Sequence, residues 1–395
     1  MDAIFGIILT LCRTVYSGDS ESTNYQIKRL ADAYKKKGCD AESRSLQSLL
    51  GQLHKKQPLH SSVLKTSSEN KISGEELTRQ VPIPVDKETA SPLLEVIYSE
   101  DLPTYAPMFD DNIQEAVNSV ILEWENYSQL LSLNAEPSRS CLIFGEPGTG
   151  KTHLAEWIAQ QVGLPVVLAR LDGIMSSFLG TSARNIGILF SFANRYRCVL
   201  LLDEFDAIAK LRDDPQEVGE VKRIVNTLLQ KLDERDKCGF TIGVTNHEQL
   251  LDSAVWRRFD IQIEIPKPSS TVINLLLKKY MEPIELNDTE NRFLSWCIQG
   301  SSGADVQKLS NWLKRIKILP DYSKENVVDL MRRYSILNAG RISEKVKSVL
   351  NGTNESMITW LKDNDLNFRQ KDIAEIFQVS QSSVSKQLAK LNKED

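Results

Sequence analysis

Three glycines stand in the run Gly145-Glu146-Pro147-Gly148-Thr149-Gly150-Lys151-Thr152, and about 50 residues further on the run Cys198 to Asp206 carries the carboxylates Asp203 and Glu204. The first run has the spacing at which glycines let backbone N–H groups close around phosphate oxygens. Lys151 is then placed to reach the β and γ phosphates, and the Thr152 hydroxyl to ligate Mg²⁺. The run follows an apolar stretch, CLIF, and opens a helical one, KTHLAEWIAQQ, so the positive end of a helix dipole is expected at the same phosphates. Asp203 is placed to hold the metal, directly or through water. Glu204 is placed to orient and deprotonate an attacking water, which makes the chemistry hydrolysis rather than switching.

Those residues need a frame that brings strand ends together. From about 91 to 265, the apolar runs CLIF, VVLARL, CVLLLD, FTIGVTN and IQIEI alternate with helical patterns such as VKRIVNTLLQKLD. Continuous apolar strands between amphipathic helices predict an α/β fold, a parallel sheet covered on both faces. In such a sheet, ligands bind outside the carboxyl ends of the strands, where Gly145 and Asp203 fall. After Pro266 the spacing is helical only. The expected organisation is a helical N-terminal unit over 1–57, a flexible linker rich in Ser, Lys, Thr and Pro over 58–90, and the α/β domain over 91–265. A small helical lid over 266–338 and a last helical unit over 339–395 complete it.

These motifs, with FTIGVTNHEQLLDSAVWRRFD and SSGADV downstream, closely resemble the classical clade of the AAA ATPases over about residues 105 to 335. The resemblance implies a P-loop AAA+ core with ATP and Mg²⁺ as its nucleotide and metal, the nucleotide site running from Gly145 through His153. It implies that Asn246 is the sensor that positions the lytic water, and that Arg257 and Arg258 are arginine fingers reaching a γ phosphate bound to a neighbouring subunit. That dependence on assembly implies a homo-oligomeric ring, expected as a hexamer. Gly303 and Ala304 occupy the second sensor region, where this clade has small residues; Ser302 and Asp305 also read as a plain capping box. Phe178, Leu179 and Gly180 match the aromatic-hydrophobic-glycine pore loop of AAA unfoldases, which implies a protein substrate threaded through the ring. Glu146 departs from the usual proline of the phosphate loop. The N-terminal helices weakly resemble the helical hairpins that precede many AAA cores, such as the microtubule-interacting and trafficking domain.

Composition narrows the remaining choices. A net charge of −5 argues against broad nucleic-acid binding, which requires a basic face that displaces counterions. Six cysteines without a CxxC pair read as reduced thiols in a cytoplasmic protein. The opening run MDAIFGIILTLCRTVY is too short to span a bilayer, so no membrane partner is expected. His247-Glu248-Gln249-Leu250-Leu251 begins like a zinc-protease helix but lacks the second histidine, so any proteolysis falls to a partner protein, as in a defence or quality-control setting.

At the C-terminus, DIAEIFQVSQSSVSKQLAKL has the spacing of a helix-turn-helix. Ile373, Ala374 and Phe377 are expected to face Val379, Val384 and Leu388, with Ser380 capping the second helix. Gln381, Ser382, Ser383, Ser385, Lys386, Gln387 and Lys390 then point outward as candidate contacts to DNA. Contact with another protein is the second reading of this stretch, and a structural cap the third. Two function classes follow: a ring-forming remodeller of proteins, or an ATP-controlled regulator bound to DNA.

Overall fold

The computed structural model describes residues 28–31, 33, 34, 74–171, 179–206, 218–235, 239–251, 253–320, 325–363, 366 and 368–391, with the side chains of 179, 180, 218–223, 390 and 391 left aside. The chain divides into two units, Met1–Glu69 and Asn70–Asp395. In the first, the described residues are helical, with Leu30 and Ala31 buried.

The second unit is built on a six-stranded sheet of order β1-β3-β4-β5-β2-β6. Its strands are β1 Glu95–Ile97, β2 Ser140–Phe144, β3 Val166–Arg170, β4 Cys198–Asp203, β5 Gly239–Thr245 and β6 Ile261–Glu264. All pairs are parallel except β1 with β3. Side chains alternate across a strand, and here both faces are dry. Leu142, Leu200 and Leu202 pack with helices α4 (Leu179–Arg195) and α5 (Val218–Asp233). Cys141, Ile143, Val199 and Leu201 pack with α1 (Asp111–Glu125) and α3 (Lys151–Val162) on the other face. A short α2, Tyr127–Ser132, follows α1, and α6, Ser253–Trp256, precedes β6.

The rest is helical: α7 Ser270–Met281, α8 Asp288–Cys297, α9 Gly303–Ile318, α10 Val327–Leu337, α11 Glu344–Leu350, α12 Asn354–Asp363, α13 Gln370–Ile376 and α14 Gln381–Leu391. The expected lid and C-terminal unit share one hydrophobic cluster, from Val272 to Leu388, without a break at 338. Helix α8 is the seam. Its Thr289 hydroxyl donates to Glu375 at 2.9 Å, Arg292 bonds the Leu366 carbonyl, and Trp296 stacks on Trp360 at 4.5 Å. Among the described residues no helix is long and apolar enough to cross a membrane.

Two expectations need correction. Residues 74–90, placed in a flexible linker by their polar composition, are docked on the core. Leu77 is buried, Glu75 and Tyr196 form a parallel bridge, and the buried Asp86 carboxylate accepts from Asn185 and from the backbone of Glu88 and Thr89. Val379 does not join the helix-turn-helix core; it is 43% exposed. Gln378 takes a left-handed φ of 54° where glycine is usual, which turns Val379 outward while its N–H bonds the Ala374 carbonyl at 2.9 Å.

Candidate functional site

The carboxyl ends of β2, β5 and β4 lie side by side, because β5 pairs with both of the others. They deliver the phosphate loop, Asn246 and the Asp203–Glu204 pair to one cavity of about 510 Å³. Gly145 leaves β2 at φ 136°, where an added Cβ would lie 2.2 Å from the Ile265 carbonyl oxygen. Only glycine passes that crossing with β6. Gly150 precedes α3 at φ 99°. The sequence therefore folds the loop back onto the start of α3 as its spacing predicts.

Lys151 is buried, its Nζ donating to the carbonyls of Gly145 at 2.8 Å and Glu146 at 2.7 Å. Burial pushes its amine down to about 8, against the pull of Asp203, Glu248, Asp206 and Glu146. The Thr152 hydroxyl donates to Asp203 Oδ2 at 3.4 Å. A hydroxyl and a carboxylate side by side are hard oxygen donors, the set that suits Mg²⁺ shared with phosphates. Among the described residues no group of three or more His, Cys, Asp or Glu is arranged as an all-protein metal cage.

Glu204 sits just past β4 at φ 54°, a left-handed backbone that costs a non-glycine residue about 1–2 kcal/mol. Its N–H donates to the Asp203 carboxylate at 2.9 Å, and the residue lines the cavity. Asn246 lines the cavity from β5, braced by the buried Asp206, which accepts from Thr245 Oγ1 at 3.3 Å. Glu146, the departure from the usual proline, pairs with Lys267 at 2.7 Å beyond the end of β6.

The lid closes the cavity over Gly148, Gly303 and Ala304. Ala304 N–H donates to the Gly148 carbonyl at 3.0 Å, and Ser302 and Asp305 form the expected capping box at the start of α9. The far wall was not legible as a motif: Tyr105, Ala106, Phe109, Leu276, Lys279 and Tyr280 come from separate segments and meet His153 there. No spacing rule marks them.

The two arginines differ. Arg258 is held within its own chain, by Asp233 at 3.0 Å and the Ala254 carbonyl at 2.7 Å. The Arg257 side chain is exposed and makes no ion pair or hydrogen bond among the described residues. Neither lines the cavity. Of the expected pore loop, Phe178 lies outside the described residues, and the backbone of Leu179 and Gly180 begins α4. On α14, Gln381, Ser382, Ser385 and Lys386 are exposed, whereas Ser383 and Gln387 are half-buried; the Lys390 side chain lies outside the described residues. Ser380 caps this helix, accepting from Ser383 N–H at 3.2 Å.

A mostly parallel sheet with this loop and these strand-end acids has the architecture of a P-loop nucleotide-binding core. Residues 141–267, within the α/β core, match the family described as "ATPase family associated with various cellular activities (AAA)". The chain is 37% identical over 207 residues to an uncharacterized AAA family ATPase, y4kL, of Sinorhizobium fredii, covering 49% of this chain and 62% of that protein. It is 30% identical over 235 residues to proteasome-activating nucleotidase 1 of Haloferax volcanii, covering 56% and 58%. It is also 30% identical over 210 residues to the ATP-dependent zinc metalloprotease FtsH of Aquifex aeolicus, covering 51% and 33%. The chain thus spans between a third and about six-tenths of these relatives' own lengths.

Proposed function

We propose that this chain hydrolyses ATP and uses the cycle to remodel a protein partner, as a ring of its own copies. The observation that carries the reading is the convergence of the phosphate loop, Asp203, Glu204 and Asn246 on one cavity, while Arg257 stands exposed outside it. The backbone N–H groups of 145–150 receive the phosphates. Lys151 exchanges the Gly145 and Glu146 carbonyls for phosphate oxygens, a stronger acceptor for a buried ammonium. Thr152 and Asp203 are the residues that would hold Mg²⁺, which when bound supplies positive charge against the phosphates. Glu204 takes the proton of the attacking water that Asn246 orients, and Arg257 of a neighbouring copy stabilises the charge of the transition state.

The relatives support the remodelling part of the reading, since one is named for activating a proteasome and another as an ATP-dependent protease. Phe178, Leu179 and Gly180 belong to it through resemblance alone, as the loop that would grip a threaded chain. A mixing experiment tests the ring. Glu204→Gln and Arg257→Ala are each expected to be inactive, and mixed rings to recover ATP turnover at interfaces where an intact Glu204 meets an intact Arg257. No recovery on mixing sinks catalysis between copies.

A second reading rests on the exposed Gln381, Ser382, Ser385 and Lys386 of α14: the C-terminal unit holds DNA while the ATP cycle sets assembly there. Salt-sensitive binding of duplex DNA that Lys386→Glu abolishes would favour it over protein remodelling.

A further inference from the structure

Away from the nucleotide cavity, helices α9 and α10 of the lid border a second hollow of about 560 Å³. Lys308, Lys314 and Arg315 line it from α9, and Tyr334 from α10. Its floor is aromatic: the half-buried Trp312 meets the buried Tyr334 edge to face at 5.2 Å. None of the three cations makes an ion pair or hydrogen bond among the described residues, and the Asn311 side chain that lines the hollow with them is equally unbonded. The one carboxylate of α9, Asp305, is already held by Arg341 at 3.1 Å and by the Ser302 hydroxyl at 2.7 Å.

On neighbouring helices, cations find acids: Arg292 reaches Asp372, Arg332 reaches Asp329, Arg333 reaches Glu325 and Lys347 reaches Glu344. The helix dipole gives Arg315, in the last turn of α9, a local reason to be basic. It gives Lys308 none, because the effect fades within the last turn and Lys308 stands in the second turn, nearer the positive end. Seven residues apart, Lys308 and Arg315 project from one face of α9, two turns or about 10.5 Å apart along its axis. Like charges gathered over one hollow repel each other until an anion joins them, so the arrangement is that of a receptor for negative groups.

We propose that this groove docks an acidic segment of the protein partner, with carboxylates on Lys308 and Arg315 and an apolar side chain on Trp312. An extended chain rises about 3.3 Å per residue, so carboxylates three residues apart match the two-turn spacing of the cations. A nucleic acid suits the surface less well. Its phosphates continue past a hollow of this size into the field of a chain of net charge −5, whereas a short acidic segment feels chiefly the charges within a Debye length of about 8 Å. The proposal rests on the protein-remodelling reading above and adds to it the surface of the lid that recruits the partner.

The test is fluorescence anisotropy on the full chain with a labelled peptide of Glu-Glu-Leu repeated four times. It is set against the same peptide with Gln in place of Glu and against a single-stranded oligothymidylate of equal length. The acidic peptide is expected to bind, more weakly as salt is added, and at least about tenfold more tightly than either competitor. Lys308→Glu combined with Arg315→Glu should weaken it by about tenfold or more, with Tm, ATP affinity and assembly size by light scattering unchanged. Lys386→Glu, outside the groove, should leave peptide binding as it is. No binding of the acidic peptide, equal binding of the Gln peptide, tighter binding of the oligonucleotide or undiminished binding by the double variant overturns the proposal. So does loss of assembly in the double variant, which would mean that a second copy covers the groove. A reporter protein carrying the acidic segment separates the two readings: captured through the groove but never unfolded with ATP, it leaves the docking surface standing and sinks remodelling.

Discussion

Ala304 donates its backbone N–H to the Gly148 carbonyl at 3.0 Å, so the first turn of the lid helix α9 is bonded to the phosphate loop. The contact leaves no room for a side chain at Gly148. An added Cβ there would lie 2.8 Å from Ser302 Oγ and 3.0 Å from the Ala304 Cβ, on a backbone at φ 78°. Gly148→Ala is therefore expected to push the lid off the loop. Overpacking of this order costs about 1–3 kcal/mol, which predicts nucleotide affinity weakened by about tenfold or more. Isothermal titration against ATP checks it, with unchanged affinity as the contrary result.

Glu204 combines strain with function. A left-handed backbone on a glutamate persists where surrounding structure holds it, and such outliers gather at sites of chemistry. Glu204→Gln keeps the shape and the strain but loses the base. Turnover should fall by about 100-fold or more with ATP affinity within about twofold of the wild-type chain and Tm unchanged. A variant that still turned ATP over at the wild-type rate would place the base elsewhere.

Arg257 and Arg258 are adjacent in sequence but part company in the structure, which makes their variants separable. Arg258→Ala removes a half-exposed ion pair to Asp233 and a bond to the Ala254 carbonyl, a stability loss of about 0.5–1 kcal/mol. Arg257→Ala removes no ion pair or side-chain hydrogen bond among the described residues and should leave Tm unmoved while abolishing turnover. Thermal denaturation beside an ATPase assay resolves the two. Equal Tm losses would mean that Arg257 has a structural role as well.

Much of this site could be read in advance, for a physical reason. The phosphate loop must contain residues that tolerate particular backbone angles, so Gly145, Gly148 and Gly150 write their geometry into the sequence, and Asp203 and Glu204 announce themselves by ending an apolar strand. The far wall of the cavity demands only that Tyr105, Leu276 and Tyr280 be apolar on one side, which any core residue satisfies. The docked segment 74–90 was hidden because it is held by few contacts, chiefly Leu77 and the Asp86 hydrogen bonds, and its composition stays polar. The three residues of β1 leave too short a pattern to notice. Helical periodicity marked an apolar face on α13 and on α14, but not that α8 of the lid covers α13.

That shared face decides how the C-terminal unit can be probed. Removing residues 340–395 would expose Phe293, Trp296 and their neighbours in the lid cluster, so any loss of binding would report unfolding of the lid. Leu361, fully buried on α12, makes the point quantitatively. Leu361→Ala should cost about 2–5 kcal/mol and lower ATP affinity through the lid, although it touches no nucleotide. Surface changes on α14 such as Lys386→Glu should leave both untouched. If Leu361→Ala lowered Tm without any change in ATP affinity, the C-terminal unit and the nucleotide site would be energetically separate.

The buried cysteines give a readout of the sheet and lid that is independent of nucleotide. Cys141 on β2 has its thiol pushed up to about 12 by burial, and the same cause holds Cys297 on α8 well above its ordinary range. Cys198 on β4 is equally buried, with its Sγ 3.6 Å from the Ala193 carbonyl. The thiolate is the reactive form, so at pH 8 Cys141 and Cys297 are doubly protected, by the proton each keeps and by the packing around it, and Cys198 is protected by its packing. Alkylation followed peptide by peptide in a mass spectrometer should find Cys141, Cys198 and Cys297 unmodified in the native protein and fully modified in denaturant. In Leu361→Ala, Cys297 should become reactive before Cys141, because the lid cluster loosens while the sheet clusters stay packed. Simultaneous exposure of both thiols would instead mean that lid and sheet unfold as one cooperative unit.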